Sequence, residues 1–179
     1  MPPFHVVSVG RLAKEKQQAQ LIQAVAASPF KNDIRLTVAG TGPQQESLVR
    51  LAAALGVEAE IGRVSDERLK TLYQTADVFV QTSAVELEGM SVLEAMAAGC
   101  PVLINQSITS AVTEFVTAPE ATYSMNDEED LRRKLDAMLA DDVLRAAAGR
   151  GNRKIAQSRH HDRSVNSLAD IYQRVLSAH

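Results

Sequence analysis

Apolar residues in this chain come in short runs separated by longer amphipathic stretches. Phe4 to Val9 (F-H-V-V-S-V), Ile34 to Ala39 (I-R-L-T-V-A), Val57 to Ile61, Val78 to Gln81 and Pro101 to Ile104 have the length and β-branched content of strands. Thr122 to Ser124 is shorter and reads as a sixth strand at the sheet edge. The intervening stretches read as helices. Lys14 to Ala27 sets Leu21, Ile22, Val25 and Ala26 on one face, and Gln44 to Leu55 is closed by Gly56, a residue that tolerates the left-handed conformation of a C′ position. Ser65 is placed to N-cap a helix running to about Thr75, and Val92 to Ala98 is a fourth helix. Further helices are predicted over Asp127 to Leu139, capped by Asn126, and over Val143 to Ser158 and Asp162 to Leu176.

Strands that are apolar on both faces and alternate with helices predict a parallel sheet covered on both sides. The expected fold is therefore a doubly wound, Rossmann-like α/β domain of about six strands with a helical C-terminal tail. In such folds ligands bind beyond the carboxyl ends of the strands. The glycine-bearing turns at Gly10, Gly40 and Gly89 fall at such ends.

Composition narrows the function classes. At 179 residues the chain suits one domain, residues 1–179, large enough to bury roughly 70% of its unfolded surface. The formal charge of -3 supplies no general field for nucleic acid or an anionic membrane. Basic residues do gather from Arg145 to Arg163, but no aromatic is interleaved, and they read as a solvated helix face. The adjacent His160 and His161 have no further ligand spaced to form a metal site. Cys100 is the only cysteine, which rules out an internal disulfide, suggests a reducing cytoplasmic setting, and reads as a buried small hydrophobe. The N-terminus lacks the pattern of a signal peptide, and no apolar run reaches the ~18 to 20 residues of a membrane span.

Three groups of residues carry candidate chemistry. Arg11 and Lys16 follow the first strand, where a forked guanidinium and an ammonium can converge on one anion; the alternative is a pair of solvated cations at a helix start, which the helix dipole disfavours. Gly89-Met90-Ser91 precedes a helix, and backbone N–H groups there suit an anion. Glu86 and Glu94 lie eight positions apart in the same stretch. Each glutamate also fits a capping box, Ser83-x-x-Glu86 and Ser91-x-x-Glu94, in which it would only satisfy a backbone donor. Beside a cationic pair at a sheet edge, a ligand role gains weight, with Glu94 suited to ribose hydroxyls. Gly40-Thr41-Gly42-Pro43-Gln44-Gln45 lacks the third glycine of a dinucleotide fingerprint, and the chain has no P-loop, nucleophile elbow or D-x-D pair.

In order along the chain, V-G-R-L-A-K-E-K, V-A-G-T-G-P, the segment I-G-R-V-S-D-E-R-L-K-T-L-Y-Q-T-A-D-V-F-V and S-x-x-E-x-x-G-M-S-V-L-E-A-M-A-A-G resemble the C-terminal, donor-binding domain of a GT-B retaining glycosyltransferase of family 4, including its E-x7-E spacing. The resemblance implies that Arg11 and Lys16 bind and stabilise a leaving diphosphate, that Glu86 contacts the donor sugar and that Glu94 contacts the ribose. It puts Arg63 and Val64 near the base and the amides of Gly89, Met90 and Ser91 on the phosphates, with the strand-end turns at Gly10 and Gly40 counted among the binding residues. No cofactor or metal is implied; the partner is a UDP-, GDP- or ADP-sugar. An N-terminal acceptor domain, absent from these residues, would complete the enzyme and supply any peripheral membrane contact. The chain would then be an excised or truncated donor domain, inactive alone in transfer. Gln17, where the family often has Gly, Leu87-Glu88 in place of Gly-Phe, and Ile108-Thr109-Ser110 in place of Gly-Gly depart from the pattern. The competing functions are a stand-alone nucleotide-sugar binding module and a sugar-nucleotide epimerase of the same fold.

Overall fold

The computed structural model describes residues 3–114, 116 and 118–159. The tail helix expected over Asp162 to Leu176 and the His160-His161 pair lie outside the described residues. Six strands, β1 (Phe4–Val9), β2 (Ile34–Ala39), β3 (Ala59–Gly62), β4 (Val78–Gln81), β5 (Val102–Gln106) and β6 (Thr122–Ser124), form one sheet in the order β3-β2-β1-β4-β5-β6. Every pairing is parallel, in register from Val6 opposite Val78 at the centre to Ile104 opposite Thr122 at the edge. This is the doubly wound α/β sheet that the apolar runs predict.

The helices are α1 (Gln18–Ala27), α2 (Gln45–Leu55), α3 (Asp66–Thr75), α4 (Met90–Ala98), α5 (Glu128–Ala140) and α6 (Asp142–Ser158). Helix α1 packs against α2 and α5, while α4 packs against α3 and α6, so the two sets cover opposite faces. Val6, Val7, Val78, Phe79, Val80, Val102, Leu103 and Ile104 are completely buried between them. Each such side chain contributes roughly 1.5–3 kcal/mol of burial. Order reverses once. The chain builds outward from β1 to β3, then returns through α3 to set β4 beside β1, which opens a crevice beyond the carboxyl ends of those two strands.

Several helix boundaries differ from the sequence expectation. The predicted helix from Lys14 is two pieces, a 3-10 turn over Lys14–Lys16 and α1 from Gln18, separated by Gln17 at φ 51°. A left-handed residue cannot sit inside an α-helix, and this conformation explains why glycine suits position 17 in the resembling family. Helix α4 begins at Met90, two residues earlier than expected, after Gly89 at φ 67°. Asp127, not Asn126, caps α5 by accepting from the Asp130 N–H, and Asn126 itself is left-handed. Ser65 does cap α3, accepting from the Arg68 N–H.

At the amino end of the sheet, cations close helix ends. Arg145 donates to the carbonyls of Met138 and Leu139 at 2.6 Å and stacks over Phe4 at 5.3 Å from the ring centroid. Arg153 donates to Ala98 O and Asn152 to Cys100 O, both at 2.8 Å, which ties α6 to the end of α4. These side chains satisfy carbonyls left over at helix C-termini. Gly149 lets α6 approach closely, since a Cβ there would lie 2.3 Å from Gly99 O. A cleft of about 560 Å³ lined by Asp77, Pro101, Arg145, Arg150 and Arg153 opens at this end. Cys100 is buried nearby, and burial pushes its thiol up to about 12, so it remains a protonated, small packing residue.

Candidate functional site

Beyond the strand ends, the turns bond to one another as if the sheet continued. The Gly10 N–H donates to Ala39 O, Leu12 N–H to Thr41 O and Gly40 N–H to Gly62 O, at 3.0, 2.9 and 2.8 Å. Gly40 is required by this stacking: a Cβ at that position would sit 1.9 Å from Gly10 O, whereas nothing lies within 4 Å of one at Gly10. The role of Gly40 is thus to pack one turn on another, and Gly10 is the turn with open space above it.

The loop after β4 is bound to the turn after β1. Thr82 Oγ1 donates to Lys16 O at 2.6 Å, and the Ala84 N–H donates to Glu15 O at 3.0 Å. Those links bring together side chains distant in sequence. Lys16 Nζ donates to Glu86 Oε2 at 2.7 Å, and Gln81 Nε2, from the last residue of β4, donates to the same oxygen at 2.8 Å. The ion pair is largely sequestered, with side-chain exposures of 20% and 18%. The main chain of Glu86 is held from its other side: its carbonyl accepts from the Ala111 N–H at 2.9 Å, and Ser107 and Thr109 hydroxyls both donate to Ala84 O. The segment that departs from the family pattern therefore clasps the Glu86 loop.

Both capping-box readings fail. Ser83 is buried and starts no helix, and Ser91 lies inside α4, so neither can be an N-cap. Glu94 Oε2 accepts instead from the Tyr73 hydroxyl of α3 at 2.8 Å, and burial together with this carboxylate drives the Tyr73 pKa well above its usual value. Each glutamate thus has Oε2 occupied and Oε1 without a hydrogen-bond partner among the described residues.

Arg11 departs from the expected convergence. Its exposed guanidinium pairs with Glu15, four residues on, and not with the group that Lys16 contacts. Gly89, Met90 and Ser91 open α4 at the same sheet edge, so the first N–H groups of that helix face beyond the strands. Arg63 is exposed just past β3, and Val64 packs partly against the core. Sequence reading missed Gln81, Tyr73 and the Ser107 to Ser110 clasp. Gln81 carried a signal, because a polar side chain ending the buried run Val78-Phe79-Val80 needs a hydrogen-bond partner. The same edge exposes large apolar side chains at Val85, Leu87, Met90, Ile108 and Met125, with Leu87 84% and Ile108 fully exposed.

Among the described residues no helix is long and apolar enough to cross a membrane, and no group of His, Cys, Asp and Glu is clustered as a metal site.

Residues 2–155 match the model of the family described as Glycosyl transferases group 1. The D-inositol 3-phosphate glycosyltransferase of Salinispora tropica is 30% identical over 98% of this chain and 39% of its own length. The chain spans from about a quarter to a half of the length of the curated relatives it matches. Among solved structures, the catalytic domain of the cholesterol-alpha-glucosyltransferase from Helicobacter pylori superposes with a TM-score of 0.84 at 34% identity, over 88% of this chain and 99% of that one. Anabaena Alr3699/HepE, solved with UDP and glucose, shares the fold at a TM-score of 0.83 and 22% identity, over 99% of this chain and 49% of that one.

Proposed function

Because this chain belongs to the Glycosyl transferases group 1 family, we propose that it is the donor-binding part of a retaining glycosyltransferase that uses a nucleotide diphosphate sugar. The observation that carries this reading is the Lys16–Glu86 pair at the crevice between β1 and β4, where doubly wound folds bind their ligands. A largely buried ion pair seldom adds net stability, so its presence at this edge is better accounted for by a ligand.

In this reading the diphosphate lies over the open turn at Gly10 and the start of α4. Lys16 has three N–H donors, of which one serves Glu86 and the others serve phosphate oxygens. Arg11 exchanges its exposed partner Glu15 for the same anion. As the bond from the anomeric carbon to the phosphate oxygen breaks, the electron pair moves onto the diphosphate, and these cations with the α4 amides stabilise it. An acceptor hydroxyl forms the new bond to the anomeric carbon on the same face and passes its proton to the departing phosphate oxygen. Glu86 Oε1 accepts from the transferred sugar, and Glu94, oriented by Tyr73, accepts from the ribose. In this reading the cations and amides take the part that a metal would otherwise play in the departure. The exposed apolar side chains around Leu87 and Ile108 support a second, acceptor-binding domain facing this edge. The UDP and glucose of Alr3699/HepE are consistent with a donor of this class.

Calorimetric titration of the chain with UDP, GDP and ADP tests the donor reading: one of them binds, and added salt weakens it. Failure of all three to bind would overturn it. In an enzyme carrying the acceptor half, Glu86→Ala abolishes transfer and leaves diphosphate binding intact.

A further inference from the structure

Gln81 is the last residue of β4, a strand bonded on one side to β1 and on the other to β5, and its side chain is 5% exposed. An amide buried at the end of an otherwise apolar strand is costly unless it is hydrogen bonded. Its Nε2 is committed to Glu86 Oε2, the oxygen that Lys16 also contacts. The two donors come from different kinds of support. Lys16 extends a flexible four-carbon stem from a short 3-10 turn, whereas Gln81 projects from the centre of the sheet. From this geometry we infer that Gln81 is a positioning residue: it fixes the Glu86 carboxylate through Oε2 so that Oε1 is presented to a hydroxyl of the donor sugar.

This inference rests on the donor-binding reading and adds a division of labour to it. When a diphosphate draws on two N–H groups of the Lys16 ammonium, the third stays on Glu86 Oε2, and Gln81 is the donor there that serves no second anion. With Oε2 saturated by donors from the protein, a sugar hydroxyl finds its acceptor at Oε1. The clasp from Ser107, Thr109 and Ala111 fixes the main chain of the same loop, and Gln81 fixes its side chain. Gln81 contributes to sugar recognition through Glu86 and does not touch the diphosphate.

The test is a paired titration of the chain and of two variants, Gln81→Leu and Gln81→Asn. Leucine keeps the volume and removes the donor, and asparagine keeps the donor but falls short of Oε2. The probes are UDP, GDP and ADP and their glucose, mannose and N-acetylglucosamine conjugates. The expected result is that each variant binds the preferred diphosphate as the parent chain does, and loses about tenfold in affinity for the preferred conjugate, the effect of one charged hydrogen bond. Equal loss of diphosphate and conjugate, no loss of either, or unfolding of both variants would overturn the positioning role while leaving the donor reading in place. If the parent chain binds none of the probes, the donor reading itself falls and takes this inference with it.

Discussion

At the amino end of the sheet, Arg145 and Arg153 reach main-chain carbonyls that close α5 and α4, while at the carboxyl end Lys16 reaches a carboxylate carried on a loop. Both ends are cationic and both have glycines that let backbone segments touch. They differ in what the cations satisfy, although Arg145 also pairs with Asp142 and lies 4.0 Å from Asp77. The carbonyls are permanent features of helix ends, and nothing further is needed once they are bonded. The Lys16–Glu86 pair holds two charged groups largely, but not wholly, out of water and, among the described residues, leaves Glu86 Oε1 and two lysine N–H groups without a partner. The 560 Å³ cleft lies at the amino end, the candidate chemistry at the other. The arginine-lined hollow and the cluster of charges at the strand-order reversal thus lie at opposite ends of the sheet.

Four measurements test that contrast. The largest effect is expected for Gly40→Ala, which forces a Cβ to within 1.9 Å of Gly10 O. Separation of the stacked turns should cost about 3 kcal/mol, the upper end for overpacking, read as a shift in the urea midpoint. An unchanged midpoint would show that the carboxyl-end turns are not rigidly stacked. Next is Lys16→Ala, expected to weaken diphosphate binding by about 2 kcal/mol, roughly thirtyfold, with a shallower dependence on salt. Retained affinity and salt slope would remove the functional distinction between the two ends.

Arg153→Ala should cost about 1 kcal/mol, comparable to the loss of a helix cap, and leave diphosphate affinity unchanged. A parallel fall in affinity would mean that the amino-end cations also act on the site. The smallest effect concerns pH. His5, whose ring nitrogen shares a hydrogen bond with Thr37, is held below its ordinary 6.5, first by burial and then by Arg68 and Arg35. A lowered folded value means that the unfolded chain takes up the proton first, so this contribution is present above 6.5 and is lost as pH falls through the folded value. Urea unfolding from about pH 7 to about pH 5 should therefore cost the parent chain more stability than His5→Asn. Equal losses would exclude His5 as the source.

Much of the fold was legible because its signals are local. Alternation of apolar runs with amphipathic stretches, and glycine after β1 and β2, depend on residues within a turn or two of one another. Local signals also misled. Ser91-x-x-Glu94 satisfies the capping-box pattern, yet Gly89 starts α4 and Glu94 turns to Tyr73. Lys14 to Ala27 reads as one helix, yet a 3-10 turn, whose last carbonyl is bonded from the β4 loop, and a left-handed Gln17 come first. Arg11 and Lys16 pair with separate carboxylates, Glu15 and Glu86, contacts that the sequence does not specify.

The parallel α/β class, the order of its elements, the burial of Cys100 and the stretch in which Glu86 and Glu94 lie can all be read from the residues alone. These follow from periodicity and turn chemistry, which act over a few residues. That Lys16, Gln81 and Glu86 meet at one oxygen emerges only in the folded chain, because a lysine and a glutamate seventy residues apart become neighbours when β4 is laid beside β1. Strand order is set by how the whole apolar surface is buried, and a short motif does not encode it.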